Sequence, residues 1–308
     1  MPPCAFAVGG ESLAGAVFRR EGGGLLRLVE RHALPLPAGA LGDGPLGAPV
    51  ADAEALAAAV GELVGRFARR PRQASLVLPD AWARGLVVEL GALPERGEAR
   101  AEVLRFRLRK LVPFRPEELR VAAAPIAAVT GQEDPLRVLT LFAAEPLCAA
   151  FESSFAAAGV RLGQIVDTSL ALVCALARGG QLAGVAALAT VEARSFTLVC
   201  ARDGEPVLWR QKSFGDSSEA ETRAPRLAAE LKLTRTFLAE RLDAPRLDAV
   251  LLAAPDDVRA VWSEVLAEGL GRPPAIVAAD SLPLAAESAR EADAALAPLV
   301  GAACREVA

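Results

Sequence analysis

The fold is decided by two stretches of the chain: residues 5–34, AFAVGGESLAGAVFRREGGGLLRLVERHAL, and residues 184–212, GVAALATVEARSFTLVCARDGEPVLWRQK. Each stretch contains three runs with the alternating apolar and polar residues typical of half-buried strands. An amphipathic helix follows each one, over about Asp52 to Arg70 and about Ala224 to Leu242. A β-β-β-α unit therefore occurs twice, which predicts an α/β fold of two related lobes.

Further strands and helices lie between and after these two units.

Composition excludes several classes of protein. The 308 residues are 53% apolar and 23% charged, which is enough for a sizeable core and excludes a disordered chain. The longest uncharged runs stop near a dozen residues, short of the roughly 20 that a membrane-spanning helix needs. The N-terminus lacks the pattern of a signal peptide, and the net charge of −4 gives no strong field for nucleic acid. We therefore expect a soluble, cytoplasmic protein.

Residues that carry chemistry are scarce. His32 is the single histidine, and the five cysteines are isolated in apolar runs. The sequence therefore lacks the ligands of a catalytic zinc site and the residue spacing of a histidine-dependent catalytic triad. No Walker A sequence occurs, and Gly22 to Gly24 fits a hairpin turn better than a dinucleotide fingerprint. Residue chemistry alone does not support an enzyme.

Several short motifs, in order along the chain, resemble the PilM family of type IV pilus proteins. This family is actin-like and is related to FtsA and, more distantly, to the cytoplasmic domain of GspL. The matching segments are Arg109–Leu119, Ala158–Val160, Val166–Asp167, Leu170–Leu172, parts of Leu227–Leu238, and Gly301–Arg305.

The resemblance implies an actin-like, ribonuclease H-like duplicated fold whose relatives hold Mg–ATP on two β-hairpins. This chain departs from that pattern in both hairpins. The first hairpin keeps Gly10 and Ser12 as a vestigial phosphate site, but its aspartate position falls on Val8. The metal carboxylate and glycine of the second hairpin fall on Thr190 and Glu192. The adenosine-side glycine pair is Ala253-Ala254, and the segment at about Ser213–Arg223 is shortened. We therefore expect no catalytic residue, no metal site and no required cofactor.

The resemblance also implies a partner. PilM-like proteins clamp the short cytoplasmic tail of a PilN-like inner-membrane protein between the first lobe and a small inserted α+β subdomain. In this chain the resemblance implies a first lobe of residues 1–72, 158–182 and 290–308, an inserted subdomain of residues 73–157, and a second lobe of residues 183–289 with a reduced outer subdomain. The chain would then be cytoplasmic and peripheral to the inner membrane through that partner. The partner-binding candidates are Leu111, Val112, Pro113 and Phe114. In an alternative interpretation, Pro113 only stops a helix and Phe114 only packs its end.

Two alternative functions stay open, and one basic run of residues has several interpretations. The chain could be an ATP-binding switch in which Gly10, Ser12 and Glu192 form an altered phosphate site, or a GspL-like platform component of a type II secretion system. A basic run could be a solvated helix face, a contact for an acidic partner, or a contact for the anionic inner leaflet. That run comprises Arg105, Arg107, Arg109, Lys110, Arg115 and Arg120.

Overall fold

The computed structural model describes residues 3–9, 11–37, 40–41, 50–95, 97–109, 111, 115–126, 136–214, 217–242 and 246–304. The strands are β1 Cys4–Val8, β2 Ser12–Arg20, β3 Leu26–Pro35, β4 Gln73–Leu78, β5 Ala83–Leu90, β6 Leu119–Pro125, β7 Leu136–Ala144, β8 Arg161–Asp167, β9 Val185–Glu192, β10 Ser195–Arg202, β11 Glu205–Ser213, β12 Ala249–Ala253 and β13 Ala275–Ile276. The helices are α1 Ala53–Arg66, α2 Glu98–Leu108, α3 Glu145–Ala157, α4 Thr168–Arg178, α5 Ser217–Leu242, α6 Arg259–Leu270, α7 Ala286–Glu291 and α8 Ala297–Cys304.

Two five-stranded sheets share one topology. The strand order is β3-β2-β1-β4-β8 in the first sheet and β11-β10-β9-β12-β13 in the second. In both sheets the opening strand pairs antiparallel with the next strand and parallel with the strand that follows the first long helix. The repeated order confirms the predicted α/β fold of two related lobes.

The hairpin turn predicted at Gly22 to Gly24 is present, the sequence Asp203-Gly204 forms a second one, and local chemistry explains both. Between β10 and β11, Asp203 and Gly204 both have positive φ, at 50° and 84°. A two-residue turn of this kind matches the twist of the strands on either side, and Asp-Gly tolerates it. Between β2 and β3, the turn over Gly22–Gly24 contains positive φ at Gly23 and Gly24.

The helices and sheets alternate in five layers. Helices α1 and α3 cover the outer face of the first sheet, and α5 and α6 cover the outer face of the second. Helices α4 and α8 pack against each other in the middle, with residues of both sheets in the same core cluster. The two lobes therefore share one continuous apolar layer, and the loops at one end of the sheets face each other.

A third sheet, in the order β5-β7-β6, forms the inserted unit, and α2 packs on it through Leu104. The predicted start of this unit at Gln73 is wrong, because β4 pairs with β1 and β8 inside the first sheet. Strand β4 is buried along almost its whole length, as expected for a central parallel strand. Helix α3 likewise packs on the first sheet, so the separate sheet runs from β5 to β7. The other predicted boundaries stay a prediction.

Two helix boundaries differ from the sequence prediction. Helix α5 begins at Ser217, so only a short connection separates it from β11. The sequence pattern also predicts a helix from Ala292 to Cys304, but α8 begins only at Ala297, after a short 3-10 turn over Ala294–Leu296. Pro298 lies in the first turn of α8, where proline is tolerated. No helix in the described ranges is both long and apolar enough to cross a bilayer.

Candidate inter-lobe site

A cleft of about 1040 Å³ opens between the facing ends of the two sheets. Its walls include Gly9 and Glu11 from the β1–β2 hairpin and Glu192 from the β9–β10 hairpin. Ala253 and Ala254, at the end of β12, line a further part. The cleft therefore lies where the two hairpins and the Ala253-Ala254 pair meet, at the carboxyl ends of parallel strands on both sheets.

The first hairpin is tight and carries no carboxylate at the predicted metal position. Gly9 N donates to Ser12 O over 2.7 Å, and a Cβ at Gly9 would lie 2.7 Å from the Ser12 hydroxyl. Ser12 is exposed, whereas Val8 is buried in the core of the first lobe. Gly10 lies outside the described residues. The hairpin therefore keeps its shape, while the position of the metal carboxylate belongs to the apolar core.

In the second hairpin a side chain fills the space that a glycine would leave open. One carboxylate oxygen of Glu192 accepts from Asp80 N over 2.7 Å and from the Ser195 hydroxyl over 2.9 Å. Thr168 is a third hydrogen-bonding partner of this carboxyl group. Asp80 and Thr168 belong to the first lobe and Ser195 to the second, so Glu192 bridges the lobes at the base of the cleft.

Asp80 is the first-lobe partner in this bridge, and it is fully buried. Its carboxylate accepts from the Ser169 amide over 2.9 Å and from the Ser169 hydroxyl, at the start of α4. The Gln211 side-chain amide, from β11 of the second lobe, donates to Asp80 O. Asp80 is therefore fixed from both lobes.

Burial and mutual repulsion keep a proton on this pair. Burial first, and then the neighbouring Asp80 carboxyl, raise the pKa of Glu192 to about 8. Burial also raises the pKa of Asp80, against the hydrogen bonds from Ser169 and Thr197. Two carboxyl groups this close cannot both ionise cheaply in a poorly solvated site. Near neutral pH the pair therefore holds a proton on the contact between the lobes.

The rest of the cleft is also poorly suited to Mg–ATP. Exposed Glu11 adds negative charge at the mouth, and the Arg259 guanidinium is paired with Asp256. Nowhere in the described part of the chain do three or more His, Cys, Asp or Glu side chains form a group that could hold a metal ion. The arrangement joins the two lobes through hydrogen bonds, and these contacts occupy the carboxyl groups of Glu192 and Asp80.

The structure describes only some of the other predicted site residues. Leu111 is 52% exposed just after α2, while Val112, Pro113 and Phe114 lie outside the described residues. Asp80 was missed by sequence reasoning. Its signal is a polar residue directly after a buried parallel strand, at the sheet edge where sites form in open α/β sheets.

The sequence matches no family model and no curated protein. Among solved structures, the chain is similar to a chain of the "PilM-PilN type IV pilus biogenesis complex", with a TM-score of 0.76, 18% identity, and coverage of 100% of this chain and 99% of that one. It is also similar to a protein of unknown function from Bacteroides thetaiotaomicron with an actin-like ATPase fold, with a TM-score of 0.53, 9% identity and 90% of each chain covered.

The chain has the actin-like fold. A weaker likeness, with a TM-score of 0.46, 10% identity and 83% of each chain covered, is to the cytoplasmic domain of EpsL from the type II secretion system of Vibrio cholerae. The repeated sheet order and the shared middle helices agree with the first two similarities over nearly the whole chain. At these identities the likeness establishes the fold, and the function is argued from the site.

Proposed function

We propose that this chain is a cytoplasmic scaffold at the inner membrane that holds the N-terminal tail of a PilN-like membrane protein and does not hydrolyse ATP. The scaffold role rests on the full-length likeness to a chain of the PilM-PilN complex. The absence of hydrolysis rests on Glu192, whose side chain bridges the two lobes at the predicted phosphate position.

The bridge supports a non-hydrolysing cleft for a physical reason. A phosphate-binding hairpin works because its backbone N–H groups can approach the phosphate closely, which needs small residues. Here a carboxyl group occupies that space and already uses the Asp80 amide as its donor. An incoming phosphate would have to displace this contact and then lie beside two acidic side chains.

The first test is a thermal-shift titration with Mg–ATP. We expect no saturable rise in melting temperature, because the phosphate position is filled. If the chain did bind ATP, an ATP concentration of a hundred times the Kd would raise the free energy of unfolding by about 2.7 kcal/mol and the melting temperature by several degrees.

The matched variant is Glu192→Gly, which removes the bridging side chain and leaves the rest of the cleft unchanged. Gain of an ATP-dependent shift in this variant alone would support a blocked site. A clear, saturable shift in the wild-type protein would contradict the proposal and favour the nucleotide switch. The cleft volume favours that second function, since about 1040 Å³ is enough to hold a small ligand and lies at the upper end of the usual range for such sites, which reaches about 1,000 Å³.

Tail binding needs a surface between the first lobe and the inserted unit, and both edge strands of the inserted sheet are already in contact with other elements. Strand β6 is an edge of the third sheet, but Arg105 and Arg100 of α2 donate to its carbonyls at Leu119 and Ala123. Strand β5 packs against the second lobe, where the Trp209 indole lies against Gly85. A tail would have to displace these contacts to pair with β6.

The edge strand β8 of the first sheet is the better candidate for main-chain pairing. It contacts β5 of the inserted unit, and its central residues Leu162 to Val166 carry no charge. An extended peptide gains affinity from an exposed edge of this kind and specificity from nearby side-chain contacts. We propose that exposed Leu111 and the neighbouring Val112, Pro113 and Phe114 supply such contacts.

Substituting Leu111 tests this surface. We expect Leu111→Asp to weaken binding of a fluorescent peptide with the sequence of a PilN-like cytoplasmic tail by about tenfold. The control is Leu233→Asp on α5, since Leu233 is 68% exposed but lies in the second lobe. Equal affinities of the wild-type protein and Leu111→Asp would place the contact elsewhere.

A further inference from the structure

The end of α2 presents an unusual combination of exposed side chains, which we call the basic tip: Phe106, Arg107, Arg109 and Leu111. Phe106 is 71% exposed, more than any other large apolar side chain among the described residues. Arg107 and Arg109 are also exposed, while Leu104 and Leu108 face the core of the inserted unit. Because residues three and four apart are neighbours on a helix, Phe106 and Arg109 lie together on the outer surface.

The charge around this tip has one sign. Between Val103 and Pro116 the sequence contains Arg105, Arg107, Arg109, Lys110 and Arg115, and no acidic residue. Arg105 is occupied by Glu98 and by the Leu119 carbonyl, and Arg115 pairs with Glu118 over 3.7 Å. Among the residues that the structure describes, neither Arg107 nor Arg109 has an acidic partner. These two guanidinium groups therefore remain available for an anion outside the chain.

We propose that the basic tip docks on an anionic phospholipid bilayer, with Phe106 entering the headgroup region and Arg107 and Arg109 contacting lipid phosphates. The match is one of charge and polarity. Exposed arginines attract the negative surface, and aromatic and aliphatic side chains partition into the interface. This inference goes beyond tail binding and does not require it.

The degree of exposure favours a bilayer over an acidic protein. A protein partner would have to supply a pocket that desolvates Phe106, since buried aromatic anchors are what stabilise protein interfaces. A bilayer accepts a protruding side chain without a preformed pocket.

Such a contact is weak alone and effective when the chain is already held at the membrane. Each basic residue near an anionic surface contributes about a fivefold gain in partitioning. A partner tail that emerges from the same bilayer would raise the local concentration of the tip, so the two contacts would reinforce each other. The tip would also orient the inserted unit toward the membrane.

The test is co-sedimentation of the purified full chain with vesicles, without any partner. We expect binding to vesicles that contain phosphatidylglycerol, little binding to pure phosphatidylcholine, and weaker binding at high salt. The double variant Arg107→Gln/Arg109→Gln should lose about thirtyfold in partitioning, and Phe106→Ala about tenfold. The matched controls are Arg69→Gln/Arg70→Gln and Leu233→Ala, which alter exposed residues of the same types elsewhere.

Each outcome decides the matter. Absence of wild-type binding to anionic vesicles, or equal binding by the tip variants and their controls, would overturn the proposal. Unchanged vesicle binding combined with lost tail-peptide binding in Arg107→Gln/Arg109→Gln would show the tip to be a protein contact instead. If tail-peptide binding fails for the wild-type protein while the vesicle results hold, the proposed function fails and this inference stands.

Discussion

Replacing Gly301 with valine should unfold the protein or destabilise it by at least about 4 kcal/mol, the range in which a single substitution becomes diagnostic. Gly301 lies in α8, where this helix crosses α4 in the layer between the two sheets. A Cβ at this position would lie 1.7 Å from Ala171 O and 3.0 Å from Ala171 Cα. Both atoms belong to the backbone, so no side-chain rotation can relieve the clash. The helices would have to move apart and open the apolar layer that both lobes share.

The matched control has the opposite expected sign. Gly61 in α1 is exposed, and a Cβ there would meet nothing within 4 Å. Gly61→Ala should therefore stabilise the protein by about 0.5–1 kcal/mol, through helix propensity alone. Urea denaturation followed by circular dichroism measures both changes. Substitutions on the surface usually change the free energy of unfolding by no more than about 0.5 kcal/mol. A Gly301→Val protein that unfolds within about 1 kcal/mol of the wild type would therefore contradict the close crossing of α4 and α8.

The abundance of small residues in the sequence has its explanation in this middle layer. Ala171 and Ala175 of α4 and Ala302 and Ala303 of α8 are all buried in the cluster that touches both sheets. Two helices can approach each other closely between two sheets only if the facing side chains are small. A composition that could be read as a trait of the genome is, at these positions, a packing requirement of the fold.

The duplicated β-β-β-α units could be predicted because their signals are local. Each of these signals depends on residues close together in the sequence: the alternation of apolar and polar residues in the strands, the Asp203-Gly204 turn, and the apolar stripe of α1. The position of β4 could not be predicted in this way. Strand β4 directly precedes the inserted unit, and its membership of the first sheet depends on pairing with β8, which begins 88 residues later in the chain when counted from Gln73 to Arg161.

The candidate site was half predictable for a similar reason. The motif comparison identified the hairpin positions, including Thr190 and Glu192, and indicated that the metal carboxylates were missing. It did not indicate where the Glu192 side chain would point. That direction depends on Asp80, more than a hundred residues earlier, whose amide donates to Glu192 across the two lobes. Likewise, the basic run was visible in the sequence, but only the structure separates paired Arg105 and Arg120 from Arg107 and Arg109.

The second large effect concerns pH. We expect the free energy of unfolding to fall as the pH rises from 5 to 8, and the Glu192→Gln variant to lose most of this slope. Burial and Asp80 raise the pKa of Glu192 from 4.5 to about 8, so the folded state keeps a proton that the unfolded chain releases near pH 4.5. Between these values the folded state binds more protons than the unfolded state, which makes stability decrease with pH. One proton corresponds to about 1.4 kcal/mol per pH unit, so the total loss is on the order of 2–4 kcal/mol.

Glutamine imitates the protonated carboxyl group, because it keeps an acceptor for the Asp80 amide and cannot ionise. The variant and the wild type should therefore be about equally stable near pH 5, and the variant should be the more stable protein near pH 8. Urea denaturation at several pH values in this range measures how the two free energies of unfolding diverge. The control is Glu11→Gln, an exposed carboxyl group of the same cleft, for which we expect the wild-type slope.

An undiminished slope in Glu192→Gln would mean that the proton lies elsewhere and that Glu192 is ionised in the folded state. A lost slope has a consequence for function. The contact that joins the lobes at the phosphate position would then be a protonated side chain of the protein itself. The contact between the lobes at this position would then require no ligand.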